Sequence, residues 1–160
     1  MKNISINSNF TIFEDIDDLP AKIQDLVVSA KNVRRKAYSK YSNFSVGVSI
    51  LLEDGTIVDG SNQENAAYPS GLCAERTAIF YANSTYPNLQ IKCLVIVAGS
   101  NLKTNSTPIA PCGACRQVIA EYENKQNSEI ELYFMGETGK IIYSNSIVNL
   151  LPFKFDSSFL

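Results

Sequence analysis

The stretch LQIKCLVIVAG, Leu89 to Gly99, decides the fold. It is apolar almost without interruption from Ile91 to Ala98, the pattern of a buried central strand rather than one with a wet face. A strand of this kind needs cover, and helical patterns flank it in the chain. Before it, CAERTAIFYANS (Cys73 to Ser84) is rich in good helix formers and sets Ala74, Ala78, Ile79 and Ala82 on one side. After it, PCGACRQVIAEYEN (Pro111 to Asn124) opens with proline in the first turn of a helix, where only an unpaired N–H is lost.

Further outward, Ile23, Leu26, Val27, Ala30, Val33 and Ala37 recur at three- and four-residue spacings. They predict an amphipathic helix from Pro20 that ends near YSKYSN, Tyr38 to Asn43. FSVGVSILLEDGTIVDGSN (Phe44 to Asn62) holds two β-rich runs around Asp54-Gly55, a pair suited to a tight hairpin. EIELYFMG and KIIYS, joined by ETG, supply two more strands, and a short helix around Ser146 to Leu151 precedes Pro152 and the tail FKFDSSFL. This mixed alternation implies an α/β fold, a three-layer α/β/α sandwich around a mixed five-stranded sheet. Residues 1–19 read as an N-terminal extension and residues 20–160 as a single domain, with no internal repeat.

The chain has 160 residues, 45% of them hydrophobic, and a formal net charge of −2. That balance lacks the basic footprint of a dedicated nucleic-acid binder. Lys31, Arg34, Arg35 and Lys36 read as a solvated helix face. The initial MKNISINSNFTIFEDIDDLP is polar and acidic, and no later run approaches the roughly 18 apolar residues of a membrane span. The expectation is a cytoplasmic protein. There the four cysteines stay reduced, and metal ligation or catalysis is favoured over disulfides.

Cys112 and Cys115 stand three apart at a predicted helix start, so both sulfurs can face one point. Free N–H groups and the positive end of the helix dipole favour thiolates there. Cys73 opens the preceding predicted helix. Two helix starts converging beyond one sheet edge bring three thiolates together, which matches a catalytic zinc site with three protein ligands. A redox pair is the rival reading of Cys-x-x-Cys. Cys93, inside the apolar run, reads as a small buried hydrophobe. The chain contains no histidine, and Glu75, two residues past Cys73, is the candidate for acid-base work.

CAER followed by PCGACRQV resembles the small, homotetrameric class of zinc-dependent cytidine deaminases. The likeness runs from YSKYSNFSVG to LLPFKF, with NQENAAYPSGLCAERTA its most specific part. The resemblance implies that Cys73, Cys112 and Cys115 bind one Zn²⁺ per subunit and that Glu75 shuttles protons. Phe44 then lines the pyrimidine pocket, Asn62 and Glu64 bind the ribose hydroxyls, and the backbone around Ala74 reads the base. Arg76 and Gln117 become hydrogen-bond partners of the thiolates, and Phe155 reaches a neighbouring subunit's site in a homotetramer.

The implied reaction is hydrolytic deamination of cytidine and 2′-deoxycytidine in pyrimidine nucleoside salvage. A carboxylate at Glu64 favours nucleosides over nucleotides, since it repels a phosphate by roughly 4 kcal/mol at about 4 Å and an effective dielectric near 20. Two features depart from the family pattern. Gln63 takes a place that is commonly aliphatic, and the first 20 or so residues extend beyond the usual start. A deaminase of aminopyrimidine antibiotics such as blasticidin S and a non-catalytic zinc-stabilised interaction module are the alternatives. The NQENAAY segment argues against the first, and turnover separates the second.

Overall fold

The computed structural model describes residues 1–160. Its elements are β1 (Thr11–Phe13), α1 (Ala21–Arg34), β2 (Phe44–Leu52), β3 (Ile57–Ser61), α2 (Ala74–Thr85), β4 (Ile91–Ser100), α3 (Gly113–Gln126), β5 (Glu131–Met135) and β6 (Ile141–Ser144). They form one six-stranded sheet in the order β1-β6-β5-β4-β2-β3. Only β4 and β5 pair in parallel, and α3 is the crossover between them.

The apolar run is the central strand β4, and its alternation shows why it carries no polar face. Cys93, Val95 and Val97 pack with Leu26, Val27 and Ala30 of α1 on one side. Leu94 and Ile96 join Ala78, Ile79, Ile119 and Ala120 of α2 and α3 on the other. Side chains point alternately to the two faces, so burial on both removes the polar alternation. Each fully buried Leu, Ile or Val is worth roughly 1.5–3 kcal/mol. Two glycines let the helices approach: a Cβ on Gly47 would lie 2.1 Å from the Ala30 carbonyl oxygen of α1, and one on Gly60 2.7 Å from the Ala78 nitrogen of α2.

Three elements differ from expectation. The sheet has six strands rather than five because Thr11–Phe13 pairs antiparallel with Ile141–Tyr143 at its edge. Helix α1 stops at Arg34, short of Tyr38. Beyond it the backbone bonds elsewhere, with Tyr38 N donating to the Asn62 carbonyl at 3.0 Å and its own carbonyl accepting from Glu64 N at 2.9 Å. The short helix predicted at Ser146 to Leu151 is a single 3-10 turn, Ile147–Asn149, capped by Ser146. No helix is long and apolar enough to cross a membrane.

Topology places the chemistry. Helix α3 leaves the C-terminal end of β4 and crosses to β5, so it starts beyond that end. Helix α2 runs toward the start of β4, so it begins at the same sheet edge. Ligands in α/β sheets collect beyond the carboxyl ends of parallel strands, and both cysteine-bearing helix starts lie there.

Candidate active site

Cys73 is the N-cap of α2, and Cys112 the N-cap of α3, with Cys115 in the first turn of α3. The three Sγ atoms lie within 4.8 Å of one another, with Cys73 to Cys112 at 3.8 Å and Cys112 to Cys115 at 3.5 Å. Sulfurs around tetrahedral zinc, each about 2.3 Å from the metal, stand about 3.8 Å apart. The donor set therefore fits zinc in number, type and spacing. Its electrostatics agree. Cys73 is held down to about 5 by the Cys115 thiol, with help from the Arg76 guanidinium and the Cys112 thiol. Cys115, whose proton serves Cys73 and which is itself buried, is pushed up. One thiolate forms readily and the next resists, so three in contact call for a dication. Cys93 stands apart in the core on the α1 face, 2% exposed.

Glu75 occupies the first turn of α2 and is only 4% exposed. Burial raises its carboxyl above the usual range, and the neighbouring Cys73 adds to the effect. A carboxyl so placed holds a proton more readily than an exposed one, which suits a group that must both accept and return it. Ala74 beside it is fully buried. Arg76 donates from Nη2 to Cys73 Sγ at 3.8 Å, while its buried Nε has no partner.

An open cleft of about 460 Å³ adjoins Cys73 and Arg76 and is bounded by Asn62, Glu64, Tyr41 and Tyr68. Asn62 is 9% exposed and braces β2, accepting from Val46 N at 2.8 Å and donating to the Phe44 carbonyl at 2.9 Å. Glu64 accepts from Tyr41 N at 2.7 Å, Ser42 N at 3.3 Å and the Ser42 hydroxyl. Those hydrogen bonds, the Ser42 hydroxyl foremost, lower its pKa. Phe44 begins β2, half-buried. Gln63, the departure noted above, pairs by backbone with Leu72 at 2.8 and 2.9 Å.

Gln117 donates to the Phe155 carbonyl at 2.8 Å, which fastens the C-terminal tail to α3 two residues past Cys115. Phe155 itself is 58% exposed and stacks on Phe159 at 5.7 Å.

Sequence reasoning gave no role to Ser42, Tyr41 or Tyr68, although a serine two residues before a strand is a turn signal and Ser42 Oγ does accept from Phe44 N at 3.0 Å. Arg34 also departs from expectation. That side chain is 12% exposed and donates to the Ser45 carbonyl at 2.9 Å, the Gly99 carbonyl at 2.9 Å and Glu137 at 2.8 Å. It belongs to no solvated face.

Comparison with known proteins agrees with this geometry. Residues 20–128 match the family model for the cytidine and deoxycytidylate deaminase zinc-binding region. A cytidine deaminase from Sporosarcina psychrophila is 41% identical over 133 residues, covering 83% of this chain and 90% of that one. Another from Halalkalibacterium halodurans is 43% identical over 98 residues, covering 61% and 70%. The crystal structure of cytidine deaminase from Burkholderia pseudomallei superposes with a TM-score of 0.71 at 36% identity, over 82% of this chain and 97% of that one. The matched region spans both cysteine segments and Glu75, and on this footing the chain belongs to the cytidine and deoxycytidylate deaminase family.

Proposed function

We propose that this protein hydrolyses cytidine and 2′-deoxycytidine to uridine and 2′-deoxyuridine with release of ammonia, serving pyrimidine nucleoside salvage in the cytoplasm as a homotetramer. The observation that carries the reading is a buried carboxyl, Glu75, in the first turn of the helix that Cys73 caps, where the thiol of Cys73 converges with those of Cys112 and Cys115 from α3. Cys73, Cys112 and Cys115 would hold the zinc. Zinc bound there supplies the Lewis acidity that makes water a usable nucleophile at neutral pH.

The chain's own groups do the rest. Glu75 takes one proton from the attacking water and delivers it to N3 of the cytosine ring. It then takes the second proton from the same oxygen, now the hydroxyl on C4, and passes it to the amine, so that the C4–N bond breaks, ammonia leaves and C4 becomes a carbonyl. Arg76, donating to Cys73 Sγ, draws negative charge off the sulfur, which keeps the ligand set from over-neutralising the metal. The α2 backbone at Ala74 faces the base, and Phe44 packs against it. Asn62 holds the β2 start in place while Glu64 takes the sugar. The exposed Phe155 ring, on a tail anchored by Gln117, reaches the site of a neighbouring subunit.

The test is ultraviolet-monitored conversion of cytidine by zinc-replete protein, with 2′-deoxycytidine, cytidine monophosphate and blasticidin S in parallel. Conversion of both nucleosides with an inert nucleotide is the expected result. Conversion of the antibiotic alone refutes the sugar assignments, and no turnover with zinc bound refutes the enzyme reading.

A further inference from the structure

We propose that Ser42 is a positioning residue for sugar recognition: its hydroxyl ties the Phe44 backbone to the Glu64 carboxylate and leaves that carboxylate one free acceptor position, directed at a single sugar hydroxyl. The inference rests on the nucleoside deaminase reading above and concerns how its sugar site is held.

Ser42 Oγ accepts from Phe44 N at 3.0 Å and donates its one proton to Glu64 Oε1. Tyr41 N and Ser42 N both donate to Glu64 Oε2, at 2.7 and 3.3 Å. An ionised carboxylate offers about four acceptor positions, and three are taken by this turn. The remaining one is on Oε1, beside the Ser42 hydroxyl. It can satisfy one hydroxyl of a sugar and no more.

The turn that supplies these donors is itself fixed. Asn43 adopts φ 53°, a left-handed conformation that is uncommon outside glycine. Its N–H donates to the Ser39 carbonyl at 3.0 Å, and its carbonyl accepts from Asn101 N at 2.7 Å. On the other side, Glu64 N donates to the Tyr38 carbonyl at 2.9 Å. Turn and carboxylate are therefore both anchored by backbone, and the Ser42 hydroxyl is the side-chain link that sets the rotation of the carboxylate plane. Without it, both remaining donors sit on one oxygen and Oε1 is free to turn. Phe44 N also loses its acceptor.

The experiment compares wild type with Ser42→Ala and Ser42→Thr on cytidine and on 2′,3′-dideoxycytidine, which lacks both sugar hydroxyls. The Ala variant should lose about five- to tenfold in kcat/KM on cytidine, through KM, as expected for one hydrogen bond to a charged group in a solvated cleft. The Thr variant should restore it. On dideoxycytidine the loss should vanish, because no hydroxyl then reads the orientation of Glu64. Equal losses on both substrates overturn the proposal, since they signal a general structural defect.

A second readout needs no turnover: carbon-13 NMR titration of the Glu64 carboxyl in zinc-loaded protein, whose titratable or charged neighbours in the cleft are Tyr41, Tyr68, Cys73 and Arg76. Its midpoint should move up in Ser42→Ala, and an unmoved midpoint overturns the proposal. If wild type converts neither nucleoside, the deaminase reading fails while this titration still decides whether Ser42 holds the carboxylate.

Discussion

Glu75→Gln separates chemistry from architecture more cleanly than any other substitution in this chain. The side chain is 4% exposed, in the first turn of α2, packed beside Cys73 and Cys115. Glutamine has nearly the same volume, so neither a cavity nor overpacking enters. What disappears is the capacity to take and return a proton, a contribution of about 10²–10⁴ in rate for general acid-base catalysis. At about 1.4 kcal/mol per decade that is 3–5 kcal/mol of transition-state stabilisation. Stability should move the other way or not at all, because the wild-type site buries a carboxylate whose charged form is penalised by desolvation. The three sulfurs are untouched, so zinc should remain at one per subunit. The assay is kcat on cytidine, zinc by plasma mass spectrometry, and melting temperature, all on one preparation. A zinc-replete variant with kcat within tenfold of wild type refutes the proton-shuttle role. Loss of zinc together with activity would instead make Glu75 a structural support of the thiol cluster.

Gly47→Ala should destabilise the protein by about 1–3 kcal/mol or abolish folding, since the new methyl would stand 2.1 Å from the Ala30 carbonyl oxygen; a melting temperature within a degree of wild type would show that α1 and β2 are not packed so closely. Cys93, 2% exposed and pushed up to about 12 by burial, holds about one part in 10⁴ as thiolate at pH 8. Chelator-treated native protein should therefore show fast reaction with a disulfide reagent at Cys73 and Cys112 only, because Cys115 is also fully buried and pushed up, and a fast thiol that disappears in Cys93→Ala would contradict the placement of Cys93.

The layers were legible because burial on both faces of a strand leaves a local mark: Ile91 to Ala98 has no polar alternation. The cluster was legible because both helix starts carry their cysteines at short spacing. What escaped depends on partners far away in sequence. Thr11–Phe13 is a strand only because β6 offers an edge more than 120 residues later. Arg34 sits among basic neighbours and resembles a surface residue, but its acceptors lie 11, 65 and 103 residues away. Helix α1 ends early because Tyr38 gives its backbone to the segment at Asn62 and Glu64, a competition that no helical periodicity reveals. Ser42 lay in plain view, and its role appears only when Glu64, 22 residues on, is folded against it.

The site divides into two poles that differ in how they are held. The thiols and Glu75 stand on helix N-caps and first turns, and those helices are pinned by Ala78, Ile79, Ile119 and Ala120 in the core. The groups proposed for the sugar stand on two connecting segments, residues 38–43 and 62–72, joined by the backbone bridge of Gln63 to Tyr38 and by the grip of Ser42 on Glu64. Geometry set on packed elements is costly to alter, whereas loop positions tolerate change. Substitutions on the sugar side should therefore shift which hydroxylated substrate is accepted while leaving zinc affinity and the proton shuttle intact. A change at Ala78 or Ile119, both fully buried in the core, should loosen the thiol spacing and reduce both together. The fold thus permits substrate range to vary without rebuilding the metal centre, because Asn62 and Glu64 reach the cleft through contacts that the thiol cluster does not share.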